Sequence, residues 1–156
     1  MILTIDKPLQ TQDNMKTILS LTAALVLLIA CDHYGNYASL LNPTVAEFIQ
    51  NEYPGASIRS VEYDDNGLCE VEIKHESIVK DVYFDVEHRW VYTTWDVRNI
   101  KLPSAVKDAV AAKYPGFWID DADFIVRADK SYYKIDLERG EMEHTVYVSQ
   151  NGEPVN

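Results

Sequence analysis

Tyr53-Pro54-Gly55 recurs along the chain as Tyr114-Pro115-Gly116, 61 residues later. The apolar residues before the two tripeptides also correspond, with Leu41, Val45 and Ile49 matching Leu102, Val106 and Val110. After a shift of three residues the match resumes, and Val71, Ile73, Val82 and Tyr83 correspond to Ile135, Leu137, Val146 and Tyr147. Solenoids need at least three stacked units, so two copies indicate one duplicated module with a shared sheet or core.

Each tripeptide follows a segment with helical spacing of apolar residues. Asn42-Pro43 predicts an N-cap followed by a proline in the first turn, and Pro103-Ser104 opens the second segment. Because proline and glycine interrupt helices, each tripeptide is predicted to end its helix and direct the chain into the next element.

Downstream of each tripeptide the apolar period changes to two. Cys69, Val71 and Ile73 alternate with glutamates, and Asp65-Asn66-Gly67 is typical of a hairpin turn. The pattern predicts four strands per copy, the last one shortened in copy two. Since successive hairpins give antiparallel pairing, we predict an α+β fold of tandem αββββ repeats, with helices packed on one face of an antiparallel sheet.

The N-terminal part of the chain has the features of an export signal. An apolar stretch from Ile18 to Ala30 follows Lys16 and is shorter than the roughly 20 residues of a transmembrane helix. Its end, Leu28-Ile29-Ala30-Cys31, resembles the bacterial lipobox, in which the chain is cut before a cysteine that then carries lipid. We therefore predict lipidation at Cys31, the alternatives being a plain signal peptide or a buried helix.

This reading predicts the organisation of the whole chain. Residues 1–14 are a non-native upstream extension, 15–30 the lipoprotein signal peptide, 31–40 a tether, and 41–156 one domain with copies at 41–96 and 102–156. The expected location is the bacterial cell envelope, with the protein lipid-anchored and facing the periplasm or held at the outer membrane. Which of the two membranes holds it stays open.

The charge of the chain excludes two classes of partner. Its 25 acidic residues outnumber 14 basic ones, which gives a net charge of -11. An acidic domain repels nucleic acid phosphates and anionic lipid headgroups, so the membrane is expected to be contacted through the anchor alone. With Cys31 lipidated, Cys69 has no partner for a disulfide, and its alternation with Val71 and Ile73 predicts a small buried side chain.

No motif indicates catalysis. The four histidines stand singly, and neither a nucleophile elbow nor a phosphate-binding loop occurs in the sequence. We therefore predict a non-enzymatic protein without a cofactor. Asp120, Asp121 and Asp123 form an acidic cluster that is a weak candidate for calcium, the alternative being a solvated acidic turn.

Aromatic residues supply the strongest candidate for a functional surface. Strand alternation turns Tyr83 and Tyr147 away from the helices, at equivalent positions of the two copies. The same argument places Tyr132 outward, and Trp90 and Tyr92 are predicted to share that face. The candidate partner-binding residues are Tyr83, Trp90, Tyr92, Tyr132 and Tyr147. The alternative is that cross-strand tyrosines only stabilise the sheet.

Several segments together resemble the PepSY-like domain of bacterial envelope proteins, which is also described as resembling the β-lactamase-inhibitor protein. They are Leu102-Pro103-x-Ala105-Val106, Lys113-Tyr114-Pro115-Gly116, Tyr132-Tyr133-Lys134-Ile135-Asp136-Leu137-Glu138 and Val146-Tyr147-Val148-Ser149-x-x-Gly152. The resemblance covers residues 40–156, although copy one departs from it at Asn42-Pro43 and Glu87-His88. It implies a tandem α+β fold and a binding or inhibitory role without a particular ligand.

The sequence thus supports one leading functional hypothesis and one alternative. The first is an envelope-anchored protein that recognises a protein or peptide partner, including the case of a hydrolase inhibitor, through its open sheet face. The alternative is a periplasmic sensor that responds to a cation or small ligand through its acidic loops.

Overall fold

Each copy of the repeat begins with a ten-residue helix. The computed structural model describes residues 36–155; the predicted extension, signal peptide and Cys31 lie outside them. Helix α1 spans Pro43–Glu52 and helix α2 spans Ser104–Lys113. The Asn42 side chain accepts a 2.9 Å hydrogen bond from the backbone N–H of Thr44, so the predicted N-cap of α1 is confirmed.

The Tyr-Pro-Gly tripeptides end both helices, as predicted. The backbone N–H of Tyr53 donates to the carbonyl of Ile49, and the N–H of Tyr114 donates to that of Val110. Two residues later the chain turns at Gly55 (φ +79°) and Gly116 (φ +84°). This left-handed conformation is open to glycine at little cost, which explains why the tripeptide ends in glycine in both copies.

All the described strands form one seven-stranded antiparallel sheet in which strand order follows chain order. The strands are β1 Ser57–Tyr63, β2 Cys69–His75, β3 Ile78–Phe84, β4 Trp90–Asp96, β5 Trp118–Val126, β6 Ser131–Arg139 and β7 Met142–Val148. A single bridge between Val148 and Pro154 stands where the shortened last strand was predicted. Because β4 of copy one pairs with β5 of copy two, the copies share one sheet and the predicted fold class is confirmed.

Two apolar clusters join each helix to the strands of its own copy. The first contains Val45 and Ile49 of α1 with residues of β1 to β3, and the second contains Val106 and Val110 of α2 with residues of β5 to β7. Cys69 is fully buried in the first cluster, as predicted, and burial raises the pKa of its thiol. Both helices therefore lie on the same side of the sheet.

Short 3-10 helices lie at Asn36–Ser39, within the predicted tether, and at Asn99–Lys101, between the copies. Among the residues that the structure describes, no helix has the length and apolar character needed to cross a membrane.

Candidate functional site: the open face of the sheet

The side of the sheet away from α1 and α2, which we call the open face, is set by the pairing register. Tyr83 of β3 lies opposite Tyr92 of β4, and Lys134 of β6 lies opposite Tyr147 of β7. These residues alternate with buried residues of the two clusters, such as Val82 and Phe84. The open face therefore carries the polar and aromatic half of each strand.

Four tyrosines and one arginine form a continuous row of contacts on the open face. The rings of Tyr83 and Tyr92 stack with centroids 4.3 Å apart and planes 20° from parallel. The Arg127 guanidinium carbon lies 4.8 Å from the centre of the Tyr92 ring, and its Nε–H donates to the Tyr132 hydroxyl at 3.1 Å. Tyr132 meets Tyr147 edge to face at 5.9 Å. We call this row the tyrosine–arginine ladder.

The members of the ladder differ in exposure. Tyr147 at the edge strand is 44% exposed, whereas Tyr132 is only 8% exposed. Tyr83 and Tyr92 are half-buried. Tyr132 thus lies on the predicted face but is covered by its neighbours, so that its role is to hold Arg127 and Tyr147 in place.

Trp90 was predicted to join this face, and that prediction is wrong. Its strand partner is Phe84, and its ring stacks on Phe48 of α1 at 5.5 Å, so it lies on the helix side. The cause is a β-bulge between the pairs Tyr83–Tyr92 and Phe84–Trp90, which adds one residue to β4. The extra residue reverses the alternation between Trp90 and Tyr92.

Arg127 is the member of the ladder that the sequence does not predict. It follows β5 directly, and its place beside Tyr92 depends on the register between β4 of copy one and β5 of copy two. In sequence, Arg127 precedes a turn and resembles any solvated basic residue. Strand alternation indicates its position, because Arg127 lies two residues after Ile125, which is also on the open face.

The hydroxyls of the stacked pair are held protonated. Burial raises the pKa of Tyr83, and its hydrogen bond to the Glu70 carboxylate acts in the same direction. Burial also raises the pKa of Tyr92. Both phenols therefore remain neutral donors, and the ladder adds no negative charge of its own.

The acidic cluster of Asp120, Asp121 and Asp123 does not form a metal centre. Asp123 lies opposite Lys134, whose ammonium is 3.6 Å from Asp123 and 2.9 Å from Asp136. Asp120 lies in a bulge of β5, between the paired residues Ile119 and Asp121. Within residues 36–155, no three His, Cys, Asp or Glu side chains are grouped so that they could hold a metal ion.

Comparisons with known proteins agree with this architecture. The sequence profile of a family described as PepSY-like, and proposed to be β-lactamase-inhibitor-like, matches residues 28–88 and 68–154. A DUF2874 family protein from Bacteroides ovatus superposes with a TM-score of 0.64 at 18% identity, over 73% of this chain and 84% of its own. A BLIP-like protein from Bacteroides fragilis gives 0.62 at 19%, over 74% and 83%.

A third solved structure has the same fold. A Bacteroides eggerthii protein proposed to be periplasmic superposes with a TM-score of 0.62 at 17% identity, over 74% of this chain and 86% of its own. Identities this low show the common fold alone. No curated protein matches the chain.

Proposed function

The chain belongs to the PepSY-like family, whose members are proposed to be β-lactamase-inhibitor-like, and from that premise we propose that it is a non-enzymatic binding protein of the cell envelope. Its ligand is a protein or peptide partner held on the open face. The proposed periplasmic location of a structural relative supports the envelope as the place where the two meet.

The tyrosine–arginine ladder is the observation that carries this proposal. Tyrosine and arginine are enriched at the centres of protein interfaces, since the tyrosine ring buries a large area at a low cost in entropy and the planar guanidinium donates several hydrogen bonds. Cross-strand tyrosine pairs also stabilise sheets, and that role would be met by the stacked pair alone. It does not account for Tyr147, which extends the row to an edge strand and leaves 44% of its side chain in water.

The partner is to be identified by photo-cross-linking from defined positions of the protein in its own cells. A photo-cross-linking amino acid at Thr145, on the open face, is expected to capture the partner, whereas the same group at Asp108, on the exposed side of α2, is not. Alanine at Tyr83, Tyr92 and Tyr147 together is expected to reduce the capture from Thr145 by about tenfold or more, because hot-spot truncations cost about 2 kcal/mol or more.

A matched pair of single variants separates binding from stability. Tyr63 is 53% exposed on edge strand β1, opposite the buried Cys69 and therefore on the helix side, whereas Tyr147 is on edge strand β7 and on the open face. We expect Tyr147→Ala to weaken capture and Tyr63→Ala to leave it unchanged, with similar melting temperatures for both. Equal capture by the two variants would remove the open face as the binding surface.

Anchoring at Cys31 is the second part of the proposal. A lipid-anchored domain with an acidic body would be held near the membrane while its open face remains free to meet a partner. Intact-mass analysis of the protein from its own membrane is expected to show a chain that begins at Cys31 and carries acyl groups. An unmodified chain that begins at Met1 would exclude the anchor and leave the binding proposal to its own test.

A further inference from the structure

Carboxylates dominate the open face beside the tyrosine–arginine ladder. Strands β2 to β5 present Glu70, Glu72, Asp81, Asp96, Asp121 and Asp123 on this side. The basic residues on this side are fewer, and one of them, Lys74, lies two residues from Glu72 on β2. Arg59 of β1 pairs with Glu72 at 3.3 Å, Lys134 of β6 pairs with Asp123, and Arg127 is held by two tyrosines. The carboxylate excess therefore remains uncompensated within the free protein.

Asp81 is the central carboxylate of this group. It lies on β3, opposite Glu72 of β2 and opposite Thr94 of β4, two residues from Tyr83. Among the described residues no basic group comes within ion-pair distance of it. The neighbouring Thr94 hydroxyl is enclosed and has no hydrogen-bond partner in the described part of the chain. The middle of the open face thus holds a carboxylate without a cation, next to an unused hydroxyl.

The surroundings of Asp81 make its charge costly in the free protein. Burial, followed by the charges of Glu70, Glu72 and Asp123, raises its pKa to about 6, and Arg59 offsets only part of this effect. Burial also raises the pKa of Asp123. Because the pKa of folded Asp81 lies above its ordinary value, the ionised form lowers stability near neutral pH. This cost decreases as pH falls through about 6.

We propose that the partner held on the open face is a basic segment of a protein, with a Lys or Arg side chain that pairs with Asp81 while its methylene stem packs against Tyr83. This inference rests on the proposed function and names the chemistry of its partner. Charge complementarity selects the occupant, since carboxylates outnumber basic side chains on this face and Asp81 makes no ion pair with a described residue. The adjacent Tyr83 ring suits a long cationic side chain, which contacts an aromatic ring with its stem and its charged group.

The inference is tested with three synthetic peptides of equal length and equal tyrosine content. They differ at one set of positions, which carry lysine in the first peptide, glutamine in the second and glutamate in the third. Binding of each peptide to the full chain, kept in a non-ionic detergent, is measured by calorimetry at low salt. We expect the lysine peptide to bind at least about tenfold more tightly than the glutamine peptide, and the glutamate peptide not to bind. The affinity for the lysine peptide should fall as pH is lowered through about 6, since Asp81 then takes up a proton.

Two variants with the same change in charge provide the control. Asp81→Asn is expected to weaken binding of the lysine peptide by about tenfold, whereas Asp108→Asn, on the exposed side of α2, should leave it within about twofold. Asp81→Asn should also raise the melting temperature near pH 7, because it removes an uncompensated charge. A loss of affinity in a more stable protein cannot be attributed to unfolding.

Three results would overturn the inference. Equal weakening by both variants would mean that the peptide responds only to the net charge of the protein. Equal affinity for the lysine and glutamine peptides would show that the open face does not discriminate between charged and neutral side chains. The open face would then be a binding surface, but not one for a basic segment. If no peptide binds, the basic partner is excluded, and the proposed function is decided separately by cross-linking from Thr145.

Discussion

Replacing Trp90 with alanine is expected to lower the free energy of unfolding by about 3 kcal/mol, near the lower end of the range for large aromatic residues in cores, because the ring is only partly buried. The variant loses the stacking on Phe48 and the hydrogen bond from the indole N–H to the Thr93 hydroxyl, 3.0 Å long. Thr93 is fully buried but keeps its 2.8 Å contact with the Tyr53 hydroxyl, so no orphaned polar group adds to the loss. Urea denaturation measures the change.

Tyr92→Ala is the matched control, since Tyr92 lies on the same strand and on the opposite face. It removes a stacked cross-strand pair from the open face and should cost about 1 kcal/mol. The two variants should also differ in partner capture, which Tyr92→Ala weakens directly. Equal and small losses of stability would contradict the bulge in β4, because they would place both rings on the open face.

Gly152→Ala is expected to lower the free energy of unfolding by a similar amount, about 3 kcal/mol. Gly152 has φ +84°, which strains any residue with a Cβ, and an added Cβ would lie 2.5 Å from the carbonyl oxygen of Ala105 and 3.0 Å from the Cβ of Ala109. Both neighbours belong to α2, so the turn after β7 or the helix must move. Thermal and urea unfolding give the size of the effect.

Gly55→Ala separates backbone strain from the clash. Gly55 has a similar φ of +79°, and an added Cβ there would meet nothing within 4 Å. Its replacement should cost only the strain of the left-handed conformation, about 1 kcal/mol. If the two glycine variants lost the same stability, the close approach between α2 and the C-terminal turn would be contradicted.

Features that depend on neighbours in sequence were predictable. The N-cap at Asn42 and the helix ends at the two Tyr-Pro-Gly tripeptides follow from local backbone chemistry, so they appear where the sequence places them. Strand alternation is also local as long as a strand is regular. It therefore assigned Tyr83 and Tyr147 to the open face correctly, and the duplication reinforced the assignment.

Features that depend on contacts between distant segments were not predictable. The bulge that turns Trp90 toward α1 contains no glycine or other residue that marks it, and it becomes visible only through the pairing of β3 with β4. Burial of Tyr132 depends in the same way on Arg127 and Tyr147. Arg127 itself acquires a role only because β5 pairs with a strand of the other copy.

Because β4 pairs with β5, the ladder contains residues of both copies. Tyr83 and Tyr92 belong to copy one, and Arg127, Tyr132 and Tyr147 belong to copy two, so that the row crosses the seam at which β4 meets β5. Neither copy alone carries the whole row. The surface therefore exists only where the two copies are joined, and a substitution in either copy alters it.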